Sequence, residues 1–171
     1  MELDYKVALR CAHLSNEAYR DFNDRLRFSM RPNVIPKLFD IGRTDTQVAL
    51  LEDPETQCGY IGFRGSDADR DWLTNLDFSR WSAVTDAVLD DKQLDYPDIY
   101  AASKSGVKMH SGFTKAYLAV RSEIHDVIRQ SEMTRWLVTG HSLGGALAKL
   151  CAVDLQYNFS PRISVETYTF G

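Results

Sequence analysis

The stretch Arg135-Trp136-Leu137-Val138-Thr139-Gly140-His141-Ser142-Leu143-Gly144-Gly145-Ala146-Leu147 changes character twice. Arg135 to Thr139 is a short apolar run, Gly140 to Gly145 is glycine-rich, and Ala146, Leu147, Leu150, Val153 and Tyr157 then recur at helical spacing. The order is strand, tight turn, helix. A Gly-x-Ser-x-Gly match arises by accident in roughly one chain of this size in twenty, so the setting carries the weight. Between an apolar strand and an amphipathic helix, such a turn lifts a serine hydroxyl out of the sheet edge. The reversal crowds the backbone, and residues without a Cβ at Gly140 and Gly144 permit it, while Gly145 lets the helix start pack closely. Ser142 then lies beside the amino end of a helix, where unpaired N–H groups favour an oxyanion. Capping that helix is the alternative use of a serine here.

Working outward, Ile163 to Phe170 reads as a further strand. Gly112 to Arg129 places Phe113, Ala116, Tyr117, Val120, Ile124, Val127 and Ile128 on one face and predicts one amphipathic helix covering the sheet. Thr46 to Glu52 and Gln57 to Phe63 are β-prone runs around Asp53-Pro54-Glu55-Thr56, an antiparallel hairpin. Val7, Ala8, Cys11, Ala12, Leu14 and Ala18 mark a packing helix from Asp4 to about Tyr19. Pro32 and Pro36 break any pattern in residues Asn23 to Arg43, which are expected to be a connector. Trp72 to Gly106 carries an acidic bias, expected of a solvated loop or short helices. Strands alternating with helices after an opening hairpin make an α/β fold with a mixed, largely parallel sheet flanked by helices. One domain is expected over 1–171, with helix and connector in 1–45.

With 171 residues the chain can bury one core. Its net charge of −4 comes with scattered Lys and Arg, so no basic stripe awaits a phosphate backbone and nucleic acid is not expected as a partner. No basic n-region precedes an apolar run at Met1-Glu2-Leu3-Asp4-Tyr5-Lys6, and no stretch reaches the length of a membrane span, so a cytoplasmic location is expected. Cys11, Cys58 and Cys151 lie far apart among apolar neighbours, as reduced core thiols do. Histidines and carboxylates show no metal-ligand spacing and no phosphate loop is present, so no cofactor or metal is expected.

Four blocks in order extend the argument. Val138-Thr139-Gly140-His141-Ser142-Leu143-Gly144-Gly145-Ala146 resembles the class 3, or fungal-type, lipase family of the α/β-hydrolase superfamily. Ile61-Gly62-Phe63-Arg64-Gly65-Ser66 with Asp71-Trp72-Leu73 and Leu76-Asp77-Phe78 resembles that family's oxyanion strand and lid. His110-Ser111-Gly112-Phe113 resembles its His-x-Gly-Phe block, and Thr167-Tyr168-Thr169-Phe170-Gly171 the strand after the nucleophile helix. The similarity covers about Thr46 to Gly171. It implies a serine carboxylic-ester hydrolase of lipase or esterase type, in which Ser142 forms an acyl-enzyme. Leu143 would donate its backbone N–H to the oxyanion, and Ser66 its backbone N–H and hydroxyl. Ser66 also fits a helix N-cap with Asp69 three residues on, and the two roles are compatible. Asp67 to Leu73 match the lid, but Asp67-Ala68-Asp69-Arg70-Asp71 is more charged than a lid that buries an apolar face. Shorter esters and phospholipids therefore stand beside long-chain acylglycerols as implied substrates, with a lipid surface as a transient partner.

A serine hydroxyl needs a general base within hydrogen-bond reach. His141 is expected to project away from the elbow into packing or a hydrogen bond, and His110 to give structural support. His125, on the polar side of its helix, and His13 are expected to be bystanders. The superfamily order is Ser, then Asp or Glu, then His. No histidine follows Ser142, and Asp154, three turns along the nucleophile helix, comes too early for the family acid. The expectation is a C-terminally incomplete catalytic domain, nearly inactive alone. The alternative is a catalytically inactive lipase-like protein that binds lipid or a partner. Thioesterases, acyltransferases and peptidases share the elbow, but the Phe63-Arg64-Gly65-Ser66 block argues against them.

Overall fold

A computed structural model describes residues 4–65 and 111–171. The chain opens with helix α1 (Tyr5–Glu17), started by Asp4, whose side chain accepts from the N–H groups of Lys6 and Val7 at 3.0 and 3.2 Å. Such a cap satisfies donors that the first turn leaves orphaned. Strands β1 (Lys37–Ile41), β2 (Thr46–Asp53) and β3 (Cys58–Phe63) follow. Beyond the undescribed segment come helices α2 (Ser111–Leu118) and α3 (Arg121–Gln130), strand β4 (Arg135–His141), helix α4 (Leu143–Phe159) and strand β5 (Ser164–Phe170).

The five strands form one sheet in the order β1-β2-β3-β4-β5. The first three pair antiparallel and the last three parallel, so the sheet is mixed. Alternate residues of each strand feed opposite cores, as the period of two requires. Val48, Leu50, Ile61, Phe63, Trp136 and Val138 meet the buried faces of α2, α3 and α4. Ala49, Leu51, Cys58, Tyr60 and Leu137 meet Val7, Cys11 and Leu14 of α1, with Leu26 and Phe28. A sheet covered on both sides explains why its central strands read as continuous apolar runs.

Two sequence expectations need correction. Residues Asn23 to Arg43 are not all connector, because β1 lies within them, paired to β2 from Lys37↔Leu50 to Ile41↔Thr46. Pro36 stands just before its first residue, where no ladder donor is required, so the proline marks the strand's start. The single helix expected over Gly112 to Arg129 is two, with Val120 leaving the helical path at φ −117°, ψ −3°. Val120 is fully buried all the same, so the apolar stripe crosses the break unaltered and hides it from a periodicity argument.

The hairpin, the packing helix and the β4-turn-α4 unit are as expected. All three cysteines are free and buried. No described helix is long and apolar enough to cross a membrane. Ser66, the residues Asp67 to Leu73 expected to match a lid, the acidic stretch from Trp72 to Gly106, and His110 lie outside the described residues.

Candidate active site

Parallel pairing brings the C-terminal ends of β3, β4 and β5 to one edge of the sheet, with Phe63 opposite Gly140 and His141 opposite Phe170. In doubly covered sheets of this kind that edge is where ligands bind. The chain leaves β4 through Ser142, which adopts φ 54°, ψ −122°. A non-glycine residue at positive φ with so negative a ψ is strained, and such strain persists only where the surroundings over-determine it. They do so here through the backbone. The Ser142 N–H donates to the Phe170 carbonyl at 2.9 Å, and its own carbonyl accepts from Gly145 and Ala146 at 2.9 and 3.3 Å.

The flanking glycines are sterically required. A Cβ on Gly140 would lie 2.3 Å from the carbonyl carbon and oxygen of Gly144, and one on Gly144 would lie 2.4 Å from the Phe63 carbonyl oxygen. Both obstacles are main chain and have no rotamer to yield. Gly145 is less constrained, its added Cβ 3.2 Å from the Gly140 carbonyl oxygen. Ser142 occupies the cap position of α4, yet its hydroxyl makes no cap hydrogen bond, so capping is not how this serine is used. It is half-buried, as is Leu143, whose N–H opens the helix where no intrahelical acceptor exists. Arg64 runs across the antiparallel half of the sheet, donating to Gln47 Oε1 at 2.6 Å, and Gln47 donates to Asp40 Oδ2 at 2.7 Å.

His141 is exposed and hydrogen-bonded through Nδ1 to Tyr19 Oη at 2.8 Å, a hydrogen-bonding role of the kind expected of it. His13 is exposed on α1. His125 is a correction. It is not on a polar face but 3% exposed, its Nε2 2.7 Å from Asp154 Oδ2 and its ring edge-on to Phe159. Asp154 also accepts from Tyr117 and from Arg121 Nε at 3.0 Å, and Asn158 donates to its Oδ1 at 2.6 Å. Burial pushes the Asp154 carboxyl up, but the hydrogen bonds and charges of His125, Tyr117 and Arg121 together outweigh it and hold the pKa at about 2. The sequence carries a spacing but not the pairing. Tyr117, Arg121 and His125 recur every fourth residue beside the apolar stripe, as do Asp154 and Asn158 on α4.

This His–Asp pair resembles a catalytic dyad in composition only. Asp154 lies twelve residues beyond Ser142 along α4, roughly 18 Å at the helical rise, so its histidine cannot take the serine's proton. The pair ties α2 and α3 to α4. Among the described residues no cluster of His, Cys, Asp and Glu could hold a metal ion.

Comparison with known proteins places this geometry. The family model described as lipase (class 3) matches residues 60–171. A lipase of Rhizomucor miehei is 35% identical over 115 residues, which make up 65% of this chain and 27% of that protein. A lipase of Rhizopus niveus is 33% identical over 126 residues, 71% of this chain and 27% of that one. The solved structure of lipase II from Rhizopus niveus superposes with a TM-score of 0.72 at 24% identity, covering 96% of this chain and 60% of that chain. The chain thus spans about a quarter of the length of these curated relatives. The match runs through the elbow and both strands that flank it, over well more than half of the residues, and the chain belongs to the class 3 lipase family of α/β-hydrolases.

Proposed function

We propose that this chain supplies the nucleophile of a carboxylic-ester hydrolase acting on lipid acyl esters. The observation that carries the reading is Ser142, held at φ 54° and ψ −122° between two glycines that admit no side chain, at the C-terminal edge of parallel strands. Its Oγ adds to the ester carbonyl, the alcohol leaves, and water releases the acid from the acyl-serine. The developing oxyanion is stabilised by the Leu143 N–H and by Ser66. Loss of one such donor costs about a hundredfold to a thousandfold in rate.

The chain order of this superfamily places the base, a histidine, after the nucleophile and the acid, and residues 143–171 contain no histidine. Without it, turnover falls by about a millionfold, and the residual rate is that of binding and the oxyanion site alone. The charged run Asp67-Ala68-Asp69-Arg70-Asp71 supports shorter esters and phospholipids as substrates beside triacylglycerols.

The test is covalent. In the full natural chain a fluorophosphonate probe labels Ser142, and the Ser142→Ala variant stays unlabelled. Equal labelling of both removes the nucleophile assignment. Release of acid from p-nitrophenyl esters, triacylglycerol emulsion and phosphatidylcholine vesicles then ranks the substrates.

A further inference from the structure

Tyr19 lies two residues beyond the end of α1, yet its hydroxyl reaches the elbow at the far end of the sequence. The turn that follows α1 fixes its backbone, with the Ala18 N–H on the Leu14 carbonyl at 3.0 Å and the Tyr19 N–H on the Asn16 carbonyl at 3.3 Å. Its Oη is 2.8 Å from His141 Nδ1, and the two rings meet edge-on with centroids 5.9 Å apart. A second contact is independent of the first. Gly65 is buried, and a Cβ built on it would lie 2.1 Å from Tyr19 Oη and 2.7 Å from the His141 carbonyl oxygen. The phenol therefore fills the space that any side chain at residue 65 would take.

The helix that carries Tyr19 is itself locked to the strand leading into the nucleophile. Ser15 Oγ and Thr139 Oγ1 are 2.7 Å apart in the buried interface between α1 and β4, and Thr139 Oγ1 also donates to the Tyr168 carbonyl of β5 at 2.7 Å. A phenol carried on so fixed an element behaves as a rigid strut between its two contacts. Burial raises the pKa of the phenol, so the hydroxyl keeps its proton at neutral pH and remains able to share a hydrogen bond with Nδ1.

We propose that Tyr19 is a positioning residue for the elbow, its hydroxyl fixing His141 against Gly65 so that Ser142 and the end of β3 hold one relative position. Tyr19 touches no reacting atom in this scheme. It acts through His141 and Gly65, and the quantity it controls is the rate of attack by Ser142, not the binding of the ester. The inference rests on Ser142 being the nucleophile.

The experiment uses the full natural chain and four variants: Ser142→Ala, Tyr19→Phe, which keeps the ring and removes Oη, His141→Phe, which removes Nδ1 from an exposed site, and the Tyr19→Phe, His141→Phe double. Tyr19→Phe is expected to slow fluorophosphonate labelling about fivefold, the factor one ordinary hydrogen bond is worth, and to lower kcat on p-nitrophenyl butyrate alike at unchanged KM. His141→Phe does the same, and the double variant is no slower than the slower single, because both remove one bond. Labelling of Tyr19→Phe at the wild-type rate, or effects that multiply in the double variant, overturns the inference. So does a fall in thermal midpoint with labelling unchanged, which marks an ordinary packing contact. Labelling that survives Ser142→Ala instead overturns the nucleophile assignment beneath it.

Discussion

At Gly144 the cost of a single methyl group can be reckoned from the main chain it would strike. An alanine Cβ would lie 2.4 Å from the Phe63 carbonyl oxygen and 3.0 Å from the Arg64 carbonyl carbon, so either β3 or the first turn of α4 must move. Gly144→Ala is expected to cost about 1–3 kcal/mol, the range for overpacking, as a lowered urea midpoint, and to slow probe labelling as the elbow shifts. A stable variant that labels at the wild-type rate would show that the strand end yields freely. The requirement for glycine at residues 140 and 144 was legible in the sequence, because a strand reversing into a helix within a few residues leaves no room for side chains. The partner of His125 was not. A histidine beside an apolar stripe is solvated or buried according to what the neighbouring helix offers, and Asp154 lies 29 residues away on another element.

Between helices, that same contact becomes a question of charge. Asp154 is 1% exposed and joins α4 to Tyr117 on α2 and to Arg121 and His125 on α3. Its folded pKa of about 2 lies below the ordinary aspartate value of 3.8. The stabilisation is therefore fully present above about pH 4 and is lost as the pH falls through about 2. It amounts to about 2 kcal/mol from this carboxylate. Urea midpoints taken between pH 5 and pH 2 should fall for the natural protein, and Asp154→Asn should show a smaller fall from a lower start. The lower start reflects the loss of the negative charge that Arg121 and His125 face, about 3 kcal/mol or more for a broken buried pair. Parallel curves for the two proteins would remove Asp154 as the source. Element by element, long periodic segments were read correctly and their edges were not. Strand β1 is short, exposed at Lys37 and Asp40 without a period of two, and preceded by two prolines, so its pairing with β2 rather than its own pattern defines it. The α2–α3 break keeps its buried face, so no periodic signal records it.

Taken whole, the described residues form a sheet with one core on each face, and the cysteines are divided between them. Cys11 and Cys58 lie on the α1 side and Cys151 on the α4 side. Burial pushes all three thiols up, Cys11 to about 12 and Cys151 well above its ordinary value. Ellman's reagent at pH 8 should find none of the three in the folded protein and all of them in denaturant. Rapid reaction of one before unfolding would mean that its core opens locally. The α/β class and the mixed sheet were legible because both follow from apolar runs alternating with amphipathic stripes. The division into two cores was not stated by any single segment, since α1 is distant in sequence from the strands it covers. A ribosome meets these pieces in order, and the hydrogen bond from the Ser142 amide to Phe170 gives that order a meaning. Phe170 is synthesised 28 residues after Ser142. Until β5 is made and docks, the Phe170 carbonyl is not in place to hold the serine amide in its strained turn, so the shape of the elbow is completed late, after the strands beside it have been made.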